Sequence, residues 1–190
     1  QGKLLIAPPN MPDPRFRKSV VYIWRHDVSG AAGVMINKKC QKPDFRHICN
    51  EGTIHRLPKV NHPVYYGGPV LTNVVGVLHS TDFVLSSTNE LVDSKVGFTL
   101  DRKILEVIAR GDGPSNMLIT LGMANWTTGQ LEEEMEHPRN PAMSWLIMDY
   151  DEKFVFGQLD EDKPDDLWES CVSQAIRNKT QEITSKIFED

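Results

Sequence analysis

Residues 20–36 read VVYIWRHDVSGAAGVMI, two apolar runs separated by a short polar turn. The first run, residues 20–24, is rich in β-branched and aromatic side chains, and the second, residues 31–36, follows Gly30. Continuous apolar runs of this length and composition are typical of buried strands. Because the turn at residues 26–30 is short, the two strands are predicted to pair antiparallel.

The rest of the chain mixes strands and helices without a strict strand-helix-strand alternation. Further strands are predicted at residues 3–7, 64–66, 74–79, 84–85, 96–99 and 117–121, with a hairpin at 144–148 and 153–156. Helices are predicted at residues 43–49, 101–110, 128–137 and 165–188. Since the first hundred residues are almost all β, an α+β fold is favoured over a doubly wound sheet. No Pro/Ser/Gly-rich linker divides the chain, so a single compact domain spanning residues 1–190 is expected.

Two of the predicted helices carry an apolar stripe. The helix at 101–110 places Ile104, Leu105, Ile108 and Ala109 on one face, and Gly111 suits the left-handed position that ends a helix. The C-terminal helix has apolar residues at helical spacing along its whole length: Leu167, Trp168, Cys171, Val172, Ala175, Ile176, Ile183 and Ile187. Acidic residues at 160–166 precede its start, as the helix dipole favours.

The formal net charge of −5, with a pI of about 5.7, is distributed unevenly. Residues 1–63 carry 11 Lys and Arg against 4 Asp and Glu, whereas residues 64–190 carry 10 against 22. A basic first third fits a patch for phosphate-bearing partners, and charges scattered over strands and turns are the alternative. The acidic pI and the lack of a helix-turn-helix do not support direct DNA binding. No apolar run approaches the ~20 residues that span a bilayer, so no membrane association is expected.

The cysteines favour a reducing compartment. Cys40, Cys49 and Cys171 make an odd number and show no CxxC spacing, and a regulatory Cys40–Cys49 pair is the alternative. With no basic-then-apolar signal pattern at the N-terminus, a cytoplasmic location is expected.

The sequence contains no recognisable catalytic or metal-binding motif. Its histidines form no HxH or HExxH pair and no zinc-finger spacing: His26, His47, His55, His62, His79 and His137. Glu134 and His137 match the Glu-x-x-His of di-iron bundles, but no second copy exists, so a solvated acidic face is the interpretation. GxSxG, Walker and GxGxxG patterns are also missing. We therefore expect no catalytic residue, no cofactor and no metal, and favour a non-enzymatic role.

Two segments are distinctive, and each has a structural interpretation. Gly67-Gly68-Pro69 permits positive φ and a close backbone approach to a ligand, although a tight turn between strands needs the same residues. Residues 121–132, LGMANWTTGQLE, fit a capping box in which the Thr127 hydroxyl meets the N3 amide and Gln130 reaches back to the Thr127 amide. Trp126 and Leu131 then occupy the positions of a hydrophobic staple, so this segment has a structural explanation without catalysis.

In combination, several motifs resemble the YqgE/AlgH family over essentially the whole chain. They are Gly2–Pro8, Met11-Pro12-Asp13-Pro14-Arg15-Phe16, Gly33-Val34-Met35-Ile36-Asn37, Tyr66-Gly67-Gly68-Pro69-Val70, Leu78-His79-Ser80 and the block from Leu121 to Glu134. The resemblance implies an α+β fold in which a branched, mostly antiparallel sheet packs around a central helix, with a C-terminal helix. The AlgH name implies transcriptional regulation of alginate synthesis. The chain departs from the family pattern at two places. Lys38-Lys39 stands where the family usually has Arg-Pro, and Met123-Ala124-Asn125 stands where it usually has Tyr-Ala-Gly, so no residue role is transferred at those positions.

The sequence is compatible with three functions. The first is a binding or regulatory protein acting near transcription, with a protein or nucleic-acid partner. The second is an enzyme or ligand-binding protein with a cleft near Gly67-Gly68-Pro69, and its candidate ligand-binding residues are Asp13, Asn37, Gly67, Gly68, His79, Trp126 and Gln130. For the polar members the structural alternatives are an Asx turn, a strand-end amide, a core histidine and a helix cap. The third is a protein-interaction module that uses the acidic half, including Glu132, Glu133 and Glu136.

Overall fold

The computed structural model describes residues 1–51, 54, 57–86, 90–92, 95–136, 143–157 and 166–188. Within these ranges the strands are β1 Lys3–Ile6, β2 Val20–Asp27, β3 Gly30–Met35, β4 Val64–Tyr66, β5 Val70–Ser80, β6 Glu90–Val92, β7 Val96–Thr99, β8 Met117–Trp126 and β9 Leu146–Asp149. The helices are α1 Phe45–Glu51, α2 Lys103–Arg110, α3 Gln130–Glu136, α4 Glu152–Phe156 and α5 Asp166–Phe188.

The strands described here form one branched sheet in the order β6-β7-β5-β8-β3-β2-β1-β9, with β4 attached to β8. The branch lies in β8. Residues 119–121 pair with β4 on one edge and β5 on the other, and residues 124–126 pair with β3. The β4–β8 pair is parallel and the other pairs are antiparallel. This confirms the predicted α+β fold with a mostly antiparallel sheet.

The hairpin predicted from residues 20–36 is confirmed as β2 and β3, paired from Val21 and Met35 to Asp27 and Gly30. Because side chains alternate across a strand, these strands supply two cores on opposite faces. Leu4, Tyr22 and Val34 belong to the first cluster. Leu5, Val21, Met35, Trp126 and Trp145 belong to the second. A third cluster joins β4, β5 and β8 to α1 and α2.

Helix α2 follows its predicted stripe. Ile104, Leu105, Ile108 and Ala109 are all buried in the third cluster. Gly111 has φ 82 and its amide donates to the Ile108 carbonyl oxygen at 2.9 Å, which confirms the predicted helix end.

Helix α5 departs from its predicted stripe. Its first half packs on the first cluster through Trp168, Cys171 and Ala175, and the Trp168 indole donates to the Ala7 carbonyl at 2.8 Å. Ile176 and Ile183, however, are 54% and 52% exposed. Helical spacing predicts a common face, but it does not say how far the sheet beneath that face extends. The acidic stretch before the helix lies mostly outside the described residues.

The predicted hairpin at 144–148 and 153–156 is wrong in its second strand. Residues 152–156 form helix α4, because the Asp151 carboxylate caps it by accepting the Lys153 amide at 2.9 Å. β9 pairs with β1 instead. The predicted strand at 84–85 is also wrong, since these residues belong to no regular element and Val84 is 44% exposed. No helix in the described part of the chain combines the length and hydropathy required to cross a membrane.

Candidate functional site

A cleft of about 330 Å³ lies between α1, α2 and the sheet. Its described lining comes from four parts of the chain: Pro43, Ile48, Glu51 and Ile54 around α1, Thr72, Asn73 and Val75 of β5, Arg102 and Leu105 at the start of α2, and Leu121 of β8. This volume is within the range of small-molecule sites, which combine an apolar surface with a few polar groups.

The floor of the cleft is aliphatic. Ile48, Ile54, Val75 and Leu121 pack against the third cluster but are only partly buried. Leu105 completes the floor and is 3% exposed. When a ligand covers apolar side chains that are accessible on a concave surface, the burial is favourable and stabilises the complex.

The polar side of the cleft is built by an irregularity in β5. Val70 pairs with Met123 and the next paired residue, Val75, faces Leu121, so residues 71–74 lie opposite Gly122 alone. Such a bulge redirects side chains, and here it brings Thr72 and Asn73 to the cleft. Leu71 adopts φ 50, a conformation that non-glycine residues rarely adopt.

Gly67-Gly68-Pro69 crosses β8 beside this bulge. β4 and β5 occupy opposite edges of β8, so the connection between them must pass over that strand. A β-carbon on Gly67 would lie 2.2 Å from the Gly122 carbonyl oxygen, and one on Gly68 2.3 Å from the Met123 carbonyl carbon. Residues 67–69 are therefore a short strand-to-strand connection, as in the structural alternative, although the two strands that they join do not pair with each other. The close approach at the glycines is between two parts of the backbone.

Asn37 is buried at the end of β3. Its Oδ1 accepts the Val20 amide at 2.9 Å, and its Nδ2 donates to the Lys18 carbonyl at 2.8 Å. The side chain thereby fixes the start of β2 to the end of β3.

His79 is 0% exposed on β5. Its Nδ1 lies 2.9 Å from the Ser80 carbonyl oxygen and its Nε2 2.9 Å from the Thr99 hydroxyl. A carbonyl only accepts, so Nδ1 carries the proton and Nε2 accepts from Thr99. Burial lowers the pKa of His79, which keeps the ring neutral.

Asp13 binds Arg15 in the exposed β1–β2 connection. Its carboxylate accepts the Arg15 amide at 2.9 Å and Nη2 of the same residue at 2.6 Å. The hydrogen bonds and charge of Arg15 lower the pKa of Asp13.

Trp126 and Gln130 meet at the carboxylate of Glu134. The indoles of Trp126 and Trp145 donate to Glu134 Oε2 at 3.0 and 2.9 Å, and Gln130 Nε2 donates to Oε1 at 2.8 Å. Charge-assisted hydrogen bonds of this kind fix the relative positions of their partners. The network fastens α3 to β8 and to the residues before β9.

The predicted capping box is half correct. Gln130 Oε1 accepts the Thr127 amide at 3.0 Å, but the Thr127 hydroxyl also points to Gln130 Oε1, at 3.2 Å. Gly129 has φ 76, which interrupts the helix that was predicted from residue 128. Residues 127–130 form a turn closed by the Gln130 amide and the Thr127 carbonyl, and α3 starts at Gln130. His137, the predicted helix end, lies outside the described residues.

Residues 4–178 match a family model described as AlgH-like. The chain belongs to this AlgH-like family. A UPF0301 protein of Bradyrhizobium is 37% identical over 172 residues, covering 86% of this chain and 77% of the relative. A UPF0301 protein of Cereibacter sphaeroides is 40% identical over 163 residues, covering 85% of this chain and 86% of the relative.

Two solved structures share the fold of this chain. The solution structure of the AlgH protein from Pseudomonas aeruginosa has a TM-score of 0.73 and 30% identity, covering 92% of this chain and 87% of that one. A crystal structure of a Corynebacterium diphtheriae protein has a TM-score of 0.64 and 21% identity, which shows the shared fold alone.

Of the motifs that carry the AlgH-like resemblance, the block from Leu121 to Glu134 reaches the described lining of the cleft, through Leu121, and the others do not. Phe16, Tyr66 and Trp126 meet at the second cluster, where the Phe16 and Trp126 ring centroids are 6.3 Å apart. Gln130 is linked to Trp126 through the carboxylate of Glu134. Asn37 and His79 instead form hydrogen bonds with backbone groups outside this cluster. None of the seven predicted residues is among the described lining of the cleft.

Sequence reasoning missed the cleft residues because they are ordinary in isolation. Ile48 and Val75 match the pattern of core residues, and Glu51, Thr72 and Asn73 that of surface residues. Four consecutive polar residues would have indicated a loop. Residues 71–74 instead mix apolar and polar side chains, so the bulge inside the strand leaves no such signal in the sequence. Among the described residues, no group of three or more His, Cys, Asp or Glu side chains is placed to hold a metal ion.

Proposed function

We propose that this AlgH-like protein is a regulatory protein that binds a small amphipathic molecule in the cleft between α1, α2 and β5. The observation that carries the proposal is the composition of the cleft, an aliphatic floor beside Thr72, Asn73, Glu51 and Arg102. The floor supplies affinity through apolar burial, and the polar groups orient the molecule.

The bulge in β5 supports a binding role. A regular strand would pair residues 71–74 in the ladder, whereas here they depart from it and Leu71 takes a rarely adopted φ of 50. Strained backbone is often found at ligand sites, where the surrounding structure holds it in place. Here the crossing at Gly67 and Gly68 lies immediately before the bulge and supplies that support.

Replacing Val75 tests the proposal. A ligand-observed NMR screen of small amphipathic fragments would be run on the wild type, on Val75→Trp and on Val28→Trp. Val75 lines the cleft, whereas Val28 is 94% exposed in the β2–β3 turn, so the pair differs in place and not in chemistry. We expect hits on the wild type and on Val28→Trp that vanish on Val75→Trp. Hits that survive Val75→Trp, or their absence from the wild type, contradict the proposal.

Regulation of transcription would then act through a protein partner and not through direct contact with DNA. The phosphate backbone dominates the non-specific affinity of proteins for DNA, and it repels a protein with a net charge of −5. Fluorescence anisotropy on duplex DNA over a range of salt concentrations measures this. We expect no binding at micromolar protein, and a steep salt-dependent affinity contradicts it.

A cytoplasmic location is proposed together with this role. Cys40, Cys49 and Cys171 are all free thiols, the state maintained in reducing compartments. Cell fractionation with an antibody against the protein tests the location, and recovery in the cytosolic fraction is the expected result.

A further inference from the structure

The outer edge of β9 is open in the described part of the sheet. β9 is the last strand in the sheet order and pairs with β1 along one edge only. All four residues of β9 line a groove of about 390 Å³. Successive side chains of a strand point to opposite faces of the sheet, so all four residues can line one groove only along the free edge. The groove therefore follows the outer edge of this strand.

Helix α5 forms the second wall of the groove. Its lining residues are spaced by three, one and three positions, so they form one stripe on the helix: Ala175, Asn178, Lys179 and Glu182. Leu146 and Met148 of β9 face the same side of the sheet as α5, because they pack in the first cluster with Trp168 and Cys171. An exposed sheet edge is a recurring binding site for extended peptides, which add to the sheet as a further strand.

The direction of the backbone groups in β1 follows from one hydrogen bond. The Ala7 amide donates to the Ser19 carbonyl at 2.9 Å, one position beyond the paired ends of β1 and β2. Hydrogen-bonded and non-hydrogen-bonded pairs alternate along an antiparallel ladder. Leu5 therefore directs its backbone groups to β2, whereas Leu4 and Ile6 direct theirs to β9.

The backbone groups of Ile147 and Asp149 consequently point away from β1. Leu146 and Met148 are the β9 partners of the two β1 residues that face this strand, so they use their backbone groups in the ladder. The residues between and after them face the other edge. Ile147 is 44% exposed, and no described group outside the ladder bonds to its amide or its carbonyl.

The amide of Trp145 supports this direction. Trp145 lies two residues before Ile147, so its backbone groups point to the same edge. Its amide donates to the Glu134 carbonyl of α3 at 3.4 Å, and α3 lies outside the sheet. Helix α3 therefore occupies this edge before β9 begins, and the free edge starts at Ile147.

We propose that the outer edge of β9 binds an extended peptide segment of a partner protein, with apolar side chains at alternate positions that face α5. The segment residue opposite Ile147 exchanges two main-chain hydrogen bonds with it. The segment residues on either side of it lie opposite Leu146 and Met148, so their side chains point toward α5. Met148 and Ala175 make that surface apolar, and apolar burial there supplies affinity. This docking surface is separate from the cleft between α1, α2 and β5, so its test does not depend on ligand binding in that cleft.

The charged side chains of the groove already have partners within the chain. Asp149 forms an ion pair with Lys3, and the Glu182 carboxylate accepts Lys186 Nζ at 2.7 Å. The hydrogen bond from Lys186 and the charge of Lys179 lower the pKa of Glu182. A charged ligand therefore gains little at this groove, and main-chain pairing together with apolar burial selects the partner.

A peptide segment fits the groove better than a second copy of this chain does. A stable interface between two folded proteins takes about 20 to 30 residues a side. The described lining of the groove has ten residues, which matches the footprint of one short strand. Two copies that each carry a net charge of −5 also repel each other as they approach.

The test is an NMR titration of isotope-labelled protein with one short peptide, acetyl-KTVTVTK-amide. Its two valines lie on one side of the extended peptide and face α5 when the central threonine pairs with Ile147. We expect the peptide to shift the amide resonances of Ile147 and Asp149 and to slow hydrogen exchange at the Ile147 amide by at least about tenfold. The control peptide has the same sequence with N-methylated threonines. It keeps every side chain and charge but lacks the donors of one edge, so it should produce neither effect.

Two substitutions at one position isolate the main-chain bond. Ile147→Pro removes the outward amide and spares the ladder to β1, because proline is tolerated on an edge strand where its nitrogen faces solvent. Ile147→Thr keeps the amide and a β-branched side chain. We expect Ile147→Thr to bind the peptide within about twofold of the wild type and Ile147→Pro to bind at least about tenfold more weakly. Tryptophan fluorescence in urea checks that both variants are folded.

A second pair of variants tests the groove without a change in the strand. Asn178→Trp fills the groove, whereas Arg177→Trp changes a neighbouring exposed residue that is not among the described lining. Both residues bond to Gln174, so the two variants lose comparable contacts on the helix. We expect peptide binding to be lost in Asn178→Trp and retained in Arg177→Trp, whether or not Ile147→Pro folds.

Three results would overturn the proposal. The first is equal binding of the N-methylated peptide, and the second is unchanged exchange of the Ile147 amide at millimolar peptide. The third is equal affinity within either pair of folded variants. Exchange at Ile147 that slows with protein concentration alone would place a second copy on this edge, and it would overturn the peptide assignment as well.

Discussion

Gly67 and Gly122 are in direct backbone contact, since a β-carbon on Gly67 would lie 2.2 Å from the Gly122 carbonyl oxygen. The contact marks the point where the β4–β5 connection crosses β8. It also lies opposite the bulge that carries Thr72 and Asn73 to the cleft. The same glycine contact therefore supports the branch in the sheet and the polar side of the candidate site.

Two glycine substitutions distinguish the loss of stability caused by close backbone contact from the loss caused by positive φ. Gly122 and Gly129 have nearly equal φ, 73 and 76, but a β-carbon on Gly122 would lie 2.4 Å from the Gly68 carbonyl oxygen, whereas one on Gly129 meets nothing within 4 Å. Gly129→Ala should lower the free energy of unfolding by about 1 kcal/mol, the cost of positive φ. Gly122→Ala should lower it by about 3 kcal/mol or more, because the backbones must separate. Urea unfolding measures both, and equal losses would show that the crossing is not tightly packed.

The Glu134 network predicts a second contrast. Glu134→Gln leaves one oxygen to serve three donors and removes the negative charge, so the free energy of unfolding should fall by about 1 to 2 kcal/mol. Glu133→Gln, at an exposed position of the same helix, should change it by less than about 0.5 kcal/mol. Tryptophan fluorescence followed in urea reports the unfolding, since Trp126 and Trp145 both contact Glu134. A stable Glu134→Gln variant with unchanged fluorescence would count against the network.

His79 should make stability depend on pH. Burial lowers its pKa in the folded state below the ordinary 6.5, so the unfolded chain binds more protons. The contribution of neutral His79 is complete above pH 6.5 and is lost as pH falls from there toward the lowered folded pKa. In His79→Gln the free energy of unfolding should therefore decline less between about pH 7 and pH 5 than in the wild type. Burial also lowers the pKa of His62, so adding His62→Gln should flatten the profile further. An unchanged slope in both variants contradicts the assignment.

The thiols should react slowly in the folded protein. Burial raises the pKa of Cys40 and Cys49, and it raises that of Cys171 to about 12. Thiolate is the reactive form, so little is available at neutral pH. Ellman's reagent should label Cys40 first, since this side chain is partly exposed, and all three only after unfolding. Rapid labelling of Cys171 in the native state would contradict its burial.

The fold was largely predictable because its strongest signals are local. The apolar runs of β2 and β3 and the stripe of α2 with Gly111 are complete within short segments. Errors arose where one residue type has two uses. Asp151 fits a hairpin turn as well as a helix cap, and Gly129 fits an early helix as well as a turn.

The cleft was not predictable because its parts are far apart in the chain. Ile48, Thr72 and Leu105 come together only through the pairing of β5 with β8 and the packing of both helices. The most distinctive residues proved to have bonds within the fold: Asn37 ties two strand ends and Trp126 binds Glu134. Their proposed contact with a ligand stays a prediction.

The most direct test of ligand binding in the cleft is a set of intermolecular nuclear Overhauser effects with the strongest hit of the fragment screen. We expect cross-peaks between the apolar protons of this ligand and the methyl groups of Val75 and Leu121, which form the floor. Both cross-peaks should persist in Val28→Trp, and the one to Leu121 should vanish in Val75→Trp. Cross-peaks confined to residues outside the cleft, or cross-peaks that survive Val75→Trp, would contradict the proposed site.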